Sequence, residues 1–395
     1  MAPSQPALLV AQSGGPTPVM NASLAGVVEQ ASRSGISRVL GARFGIQGVL
    51  QGDLIHLEDQ PTSIWSAIRH TPSAALGSCR RKLSAEDRRS ALEVLIELNV
   101  RYFLYIGGND SADTALALDQ TAKQVGYDLK VISIPKTIDN DLPGTDHCPG
   151  YGSAARFIAQ CTQDAGLDTE AMRLSDPIKL IEVMGRDAGW LVAAATLGKL
   201  DEGHAPHLIC VPERHLDVDA FLGAIESAYR RFGFVVAVVA ETIRDLAGMP
   251  LGSANEVLAA DAFGHPNLGG AAATLTALIG RELGVKARFD KPGTIQRMSM
   301  ALASAVDLDE AYAAGCQAVI YALEGQSGCM VGFTRPEGSP YRCEMKPVDL
   351  RLVANQQKIL PPTFLESGPF SIGAAFQAYA LPLIGAPINP YPRLL

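Results

Sequence analysis

The chain has 395 residues, a formal net charge of -8, 47% hydrophobic residues and 19% charged ones. That length exceeds one ordinary core, so a folded protein of two domains is expected. The acidic balance argues against a nucleic-acid face, and no apolar run reaches the ~18 residues of a membrane helix.

In chain order, the apolar run 7–11 reads as a strand, followed by Ser13-Gly14-Gly15-Pro16 and a helical stretch from near Val19. Residues 38–42 read as a second strand that ends in the glycine-punctuated Phe44-Gly45-Ile46-Gln47-Gly48. Over 87–98, Leu92, Val94, Leu95 and Leu98 recur at helical spacing with charges opposite. A strand over 102–106, the turn Gly107-Gly108-Asn109-Asp110-Ser111 and a helix over 112–125 come next, then a strand over 131–134. This alternation predicts an α/β fold, a parallel sheet with helices on both faces. A second cycle opens with a helix after Gly152 and a strand over 179–183. The turn Met184-Gly185-Arg186-Asp187, a helix over 188–197 and strands over 208–211 and 234–240 follow. Residues 298–312 are expected to return to a helix and 318–323 to a strand, with the proline-rich tail 382–392 as an extended strap over the surface. A domain boundary falls near Tyr151, and the chain is expected to cross between domains more than once.

The seven cysteines are scattered and form no C-x-x-C pair, which fits reduced thiols in a cytosolic protein. Residues 1–6 lack the basic and apolar regions of a signal peptide, so a cytoplasmic location is expected.

The chemistry concentrates in Pro135-Lys136-Thr137-Ile138-Asp139-Asn140-Asp141, at the carboxyl end of the strand 131–134. Ligands bind at that end of a parallel sheet. Two carboxylates with an Asn between them and a Lys nearby make a costly core. They suit a site where a hydroxyl loses its proton beside a metal-bound phosphate. Alone, the string also reads as an acidic surface turn, because Asp, Asn and Pro are ordinary turn residues. Three further turns share its plan: Ser13-Gly14-Gly15, 107–111 and Gly185-Arg186. Glycine lets backbone N–H groups approach a phosphate, and a following helix N-terminus favours its charge. With Lys136 and Arg186 among them, these turns read together as phosphate cradles. No G-x-x-x-x-G-K-[ST] string occurs, and Gly150-Tyr151-Gly152-Ser153-Ala154-Ala155 follows irregular chain rather than a strand, so neither common nucleotide signature applies.

These residues resemble the phosphofructokinases, and more closely the pyrophosphate-dependent 6-phosphofructokinases. The resemblance runs in order through Ser13-Gly14-Gly15, Leu76-Gly77-Ser78-Cys79-Arg80, 107–111, 135–141, Glu182-Val183-Met184-Gly185-Arg186, Glu241, Arg288 and Gly293-Thr294-Ile295-Gln296-Arg297. It implies two similar three-layer domains with the active site in the cleft between them. Residues 1–152 and about 300–350 would bind the phosphoryl donor, and about 153–299 with 351–395 the sugar phosphate. The implied reaction is the reversible, glycolytic transfer of a phosphoryl group from pyrophosphate to the 1-hydroxyl of fructose 6-phosphate, with Mg2+. Alternatives are an ATP-dependent or sedoheptulose-7-phosphate-using kinase of the same fold, or a non-catalytic regulatory sugar-phosphate-binding subunit. A subunit of that last kind is expected to lose its base, and Asp139 is intact.

By the same resemblance, Asp139 is the general base, with Lys136, Asp110 and Arg186 also catalytic. Thr137, Ile138, Met184, Gly185 and Arg186 contact the sugar and the phosphoryl group, and Glu241 and Thr294 the sugar. Arg288 and Arg297 clamp the 6-phosphate, while Gly15 and Arg80 line the donor side. Asn109, Asp110 and Asp141 are the metal candidates. A homodimer or homotetramer is implied, because some 6-phosphate arginines in the family come from a neighbouring subunit.

Two substitutions choose the donor: ATP-using relatives carry a Gly where this chain has Asp110 and another where it has Lys136. At ~4 Å and an effective dielectric of ~20, a carboxylate facing the nucleotide α-phosphate costs about 4 kcal/mol, roughly a thousandfold in affinity. Three residues depart from the family pattern. Asn109 replaces a metal-associated Asp, Thr294 replaces His or Tyr, and Pro177 stands where many ATP-using relatives have an arginine, with Lys179 close by. Elsewhere, Arg80-Arg81-Lys82 also reads as a solvated face. His204, His207, His215 and His265 lack metal spacing, and Trp65 and Trp190 read as core.

Overall fold

The first apolar run, Ala7–Gln12 (β1), is buried at every position, as befits a parallel strand covered on both faces. In the computed structural model, residues 5–252, 270–336, 338, 340–366 and 368–394 are described; His265 lies outside them. After β1 come α1 (Met20–Arg33), β2 (Val39–Ala42), α2 (Ile46–Gln51), β3 (Leu54–His56), α3 (Thr62–Arg69), α4 (Ala85–Glu97), β4 (Val100–Gly107), α5 (Asn109–Gln124) and β5 (Lys130–Pro135). A second run holds α6 (Tyr151–Ala171), β6 (Ile178–Val183), α7 (Trp190–Ala194), β7 (Leu208–Cys210), α8 (Val218–Phe232), β8 (Val235–Ala240), α9 (Ala271–Leu283) and β9 (Ala287–Asp290). Then follow α10 (Ala305–Leu323), β10 (Cys329–Thr334), β11 (Glu344–Asp349) and α11 (Ala374–Ala380).

The chain divides into two units, each made of two segments: Met1–Tyr151 with Arg297–Lys358, and Gly152–Gln296 with Ile359–Leu395. The first unit holds a sheet ordered β11-β10-β5-β4-β1-β2-β3. Its interior neighbours are parallel and both edge strands are antiparallel. The strand order reverses at β1, whose neighbours are β2 and β4. Such a switch point opens a crevice at the carboxyl ends of the strands, here where the turns after β1 and β4 lie. The second unit holds a parallel sheet ordered β7-β8-β6-β9, with β6 between β8 and β9. The Met184-Gly185-Arg186 turn leaves the carboxyl end of β6.

One expected strand is corrected. Residues 318–323 continue α10, which runs unbroken from the Ser304 cap, and 298–304 lie outside it. The stretch is apolar because α10 buries Ala314, Ala318, Val319, Tyr321 and Ala322 in the core beneath the sheet. A short apolar run of this kind has no period that separates helix from strand. The strand of this region is β10, and the polar, proline-containing β11 forms the sheet edge, where proline is tolerated. The helix expected over 112–125 starts earlier, so Asn109 and Asp110 form its first turn. The tail does run without regular structure along α6, through Gln160 to the Tyr391 hydroxyl at 3.1 Å and Arg393 to Glu170 at 2.7 Å. Trp65 and Trp190 are buried. Among the described residues, no helix is long and apolar enough to cross a membrane.

Helices α1 and α10 approach closely enough that glycine is required on both. A Cβ at Gly26 would lie 2.1 Å from the Tyr312 carbonyl oxygen, and one at Gly315 2.1 Å from that of Ser23. Gly26→Val and Gly315→Val are therefore expected to destabilise the protein by on the order of 3 kcal/mol each through overpacking. Gly223→Ala on α8, where a Cβ meets nothing within 4 Å, is expected to stabilise by up to about 1 kcal/mol. Thermal unfolding of the three variants beside the parent checks the contrast.

Candidate active site

In the first unit, the turn after β1 is held by hydrogen bonds from Ser13 N to Ile106 O at 2.9 Å and Gly14 N to Cys79 O at 3.2 Å. Ser78 Oγ donates to Gly14 O at 2.6 Å. Segment 76–80 is thereby laced to the turn, which brings Arg80 to it. Lys136 enters from the end of β5: it is buried, and its ammonium donates to Gly15 O at 2.9 Å. Gly14 adopts φ +78°, and a Cβ there would meet the Lys136 Nζ at 3.0 Å. A Cβ on Gly15 would lie 2.8 Å from Arg297 Nη1. A side chain at Gly14 would also be strained by the positive φ, and one at Gly15 would displace the end of the Arg297 side chain.

Burial pushes the Lys136 ammonium down to about 7, helped by Arg297 and Arg80, while Asp139 and Asp141 pull it back up. Burial and the neighbouring Arg80 also lower Arg297, and its buried Nε has no hydrogen-bond partner. Three cations around a glycine turn, one of them with an unspent donor, make a site for a multiply charged anion. Of the basic run, Arg81 is instead paired with Asp87 at 2.7 Å, in the capping box that starts α4.

The loop after Lys136 carries the carboxylates. Asp139 N donates to Thr137 Oγ1 at 3.1 Å, and Thr137 Oγ1 donates to Asp141 Oδ1 at 3.3 Å. Asn140 sits at φ +54°, a region that non-glycine residues occupy under constraint, and its Oδ1 accepts from Cys148 N at 3.0 Å. Ile138 is buried beneath the loop, and Asp141 is buried while Asp139 is half-exposed. Lys358 N donates to Asp141 O at 2.7 Å, and its Nζ to the carbonyls of Thr145 and Asp146. Gly150 N donates to the buried Asp307 at 2.9 Å. Asn109 Nδ2 donates to Asp141 Oδ2 at 3.2 Å, which fixes the amide and leaves its buried Oδ1 without a partner. An orphaned carbonyl oxygen beside a carboxylate is a fitting donor pair for a hard divalent cation.

In the second unit, Gly185 and Arg186 take φ +144° and +50° at the end of β6. Met184 N donates to Gln296 Oε1 at 3.2 Å, and the buried Gln296 returns a bond to Gly293 O at 2.8 Å. The Thr242 hydroxyl donates to Arg186 O, and Gly189 N donates to Glu213 at 2.8 Å. Glu241 follows β8, where burial raises its carboxyl while Lys291 draws it back down. Glu182 is fully buried, pairs with Lys291 at 2.6 Å and accepts from Gly270 N and Ala272 N at the start of α9. Thr294 is exposed.

The two arginines expected to act together belong to different units. Arg297 lies beside Gly15, whereas Arg288 on β9 pairs with Asp176 at 2.9 Å. Lys179 is held by Asp168 and Asp290, each at 3.0 Å. These residues line a cavity of about 570 Å³. Of the four histidines without metal spacing, those described are surface or packing groups: His207 accepts from Val236 N and packs near Phe232 and Phe234, His204 pairs with Asp201, and His215 is exposed. Sequence reasoning did not single out Lys358, Asp307 or Glu213, and it gave Gln296 and Glu182 no role beyond their place in the motif strings. Lys358, Asp307 and Glu213 are isolated polar residues distant in the chain from the loop or turn they support, and nothing local marks them.

The sequence matches the phosphofructokinase family model over residues 7–321, and the chain belongs to that family. A relative from Xanthomonas campestris pv. campestris (strain B100), "Pyrophosphate--fructose 6-phosphate 1-phosphotransferase", is 44% identical over 383 residues, covering 95% of this chain and 91% of its own. The solved pyrophosphate-dependent phosphofructokinase from Nitrosospira multiformis aligns at TM-score 0.88 and 36% identity, covering 98% of this chain and 94% of that one. The corresponding structure from Marinobacter aquaeolei aligns at TM-score 0.87 and 35% identity, with the same coverage.

Lys136 gives the anion site a pH dependence. A lysine lowered to about 7 carries its charge below that value and loses it above. Affinity for inorganic pyrophosphate is therefore expected to exceed that of Lys136→Met most clearly below pH about 7, with the gap narrowing above it. Calorimetric titration of both proteins across this range checks the sign; a constant gap contradicts it.

Proposed function

We infer that this chain catalyses the reversible transfer of a phosphoryl group from pyrophosphate to the 1-hydroxyl of fructose 6-phosphate, giving fructose 1,6-bisphosphate and phosphate. The observation that carries this reading is the Lys136 ammonium buried against Gly15, next to Arg297, in a site for a compact, highly charged donor. Asp110, in the first turn of α5, adds a carboxylate that disfavours the extra phosphate of a nucleotide. The names of the 44%-identical relative and of the two solved structures agree with this donor and acceptor.

In this reading Lys136, Arg80 and Arg297 hold the donor oxygens and stabilise the charge that spreads over the transferring group. Arg297 is assigned to the donor rather than to the 6-phosphate because it lies beside Gly15. Asp139 accepts the proton of the attacking hydroxyl, with the Thr137 hydroxyl fixing the backbone beneath it. A divalent metal, Mg2+ in this reading, would be held by Asn109, Asp110 and Asp141 and would screen the charge of the donor oxygens. The unpartnered Asn109 Oδ1 supports that assignment. Met184, Gly185, Arg186, Glu241 and Thr294 of the second unit bind the sugar, with Arg288 on the 6-phosphate. Some 6-phosphate arginines come from a neighbouring subunit in this reading, in a homodimer or homotetramer.

Asp139→Asn is expected to retain substrate binding while kcat falls roughly a hundredfold or more, the scale of general-base loss. Steady-state kinetics in both directions measures it, and a near-normal kcat removes Asp139 from this role. Asp110→Gly is expected to admit ATP, which the parent excludes, by removing both volume and repulsion. Binding of ATP to the parent, Asp110→Gly, Lys136→Gly and the double variant, at fixed Mg2+ and saturating fructose 6-phosphate, tests the gate. A parent that prefers ATP, or an Asp110→Gly variant that still excludes it, sinks the donor assignment.

A further inference from the structure

One cluster in the first unit has no part in the chemistry above. The ring of His147 is almost fully buried, with Nδ1 at 2.9 Å from Asp146 and Nε2 at 2.7 Å from Glu310. Cys343, a free thiol just ahead of β11, brings its Sγ into the same place. One ligand atom from each of His147, Glu310 and Cys343 falls within 4.8 Å of the others. We propose that these three side chains form a binding site for a zinc-class divalent cation, separate from the Asn109–Asp141 region.

The arrangement of the neighbouring groups supports it. Asp146 faces Nδ1, so the imidazole can donate there and turn the lone pair of Nε2 toward the centre, the carboxylate–histidine arrangement that orients metal ligands. The Tyr341 hydroxyl donates to the Glu310 Oε1 at 2.6 Å, leaving Oε2 directed at His147. A nitrogen, an oxygen and a sulfur donor together select a borderline cation over Mg2+ or Ca2+, which take oxygen ligands. Tetrahedral zinc, with bonds of about 2.0–2.3 Å, holds neighbouring ligand atoms roughly 3.5 Å apart. The His147 Nε2–Glu310 Oε2 pair, now 2.7 Å apart, would open to that separation, and the sulfur, within 4.8 Å of both, would move in.

Charge balances in both states. Without metal, imidazolium and Arg335 offset Asp146 and Glu310; Arg335 lies 2.9 Å from Asp146. Both carboxylates favour that protonated ring. On zinc entry, one proton leaves Nε2 and one leaves the Cys343 sulfur, and two positive charges replace them. The thiol, pushed up to about 12 chiefly by burial and then by Glu310 and Asp146, becomes a thiolate only with such a cation beside it. Bound metal would join the loop after β5, helix α10 and the approach to β11. That loop is the one pinned by Lys358 and Asp307 behind Asp139.

The test uses the full chain. Zinc is added, loosely held metal is removed against a weak chelator, and retained zinc and released protons are counted. The parent is expected to keep one zinc per chain and release two protons. Cys343→Ser is expected to bind at least ~100-fold more weakly, and Asp146→Asn about 10- to 100-fold more weakly. With Co2+ in place of zinc, the parent is expected to show a thiolate-to-cobalt charge-transfer absorption that Cys343→Ser lacks. Cys316→Ser should keep both properties, and far-ultraviolet circular dichroism of the metal-free variants verifies folding. A parent that retains no stoichiometric zinc overturns the proposal. So does a Cys343→Ser variant that equals the parent, or a Cys316→Ser variant that loses metal as completely.

Discussion

The ammonium of Lys136 and the backbone of Gly14 and Gly15 occupy one small volume, and each dictates the other. A buried ammonium costs several kcal/mol in lost hydration, so it persists only where oxygens and negative charge face it. Here the Gly15 carbonyl accepts from it directly, and Asp139 and Asp141 act on it through space. A side chain at Gly14 would press on the Lys136 ammonium from a strained positive-φ backbone, and one at Gly15 would push the Arg297 guanidinium aside. The result is a site whose cations are assembled before any anion arrives. Part of the electrostatic work of phosphoryl transfer is therefore done by folding.

Such an assembly holds only if its loop is fixed from outside. The loop from Thr137 to Gly150 has little regular hydrogen bonding of its own; the Asn140–Cys148 contact braces it within, and Lys358 and Asp307 pin it from outside. The second unit repeats the device with different residues, where Gln296, Glu213 and Thr242 hold the turn that presents Arg186. Asn140 and Arg186 both occupy positive φ without being glycine. Strain of that kind survives only where surrounding contacts over-determine the backbone, and functional sites are where it collects.

Seven strands, β1, β2, β4, β5, β6, β7 and β8, and the turns that follow β1, β4, β5 and β6 were legible in the sequence, because buried parallel strands are apolar runs and the turns between them need glycine and polar residues. Strands β3, β9 and β10 went unread. Residues 318–323 misled for the reason that served elsewhere: an apolar run marks burial, and burial is shared by strands and by a helix covered on most sides. β11 escaped notice because an edge strand with Lys346 and Pro347 has no apolar signature. At the site, glycines and carboxylates adjacent in sequence announced themselves. Partnerships across the chain did not, such as Arg297 with Gly15, or His147 with Glu310 and Cys343. These depend on which strands neighbour which, and local pattern does not encode that.

The alternation of the two units along the sequence separates the order of synthesis from the order of folding. The first 151 residues supply five of the seven strands of their sheet, while α10, β10 and β11 arrive only after the long insertion has been made. Until then β5 has an open apolar edge where Ile132 and Ser133 will pair with Cys329 and Met330, and α1 lacks the helix that packs on Gly26. Closing so long a loop adds little free energy, because its entropy grows only with the logarithm of length. Time is the larger matter, since an unpaired edge beside uncovered apolar surface is prone to aggregate. The exposure of β5 therefore lasts for as long as the residues between it and β10 take to be made.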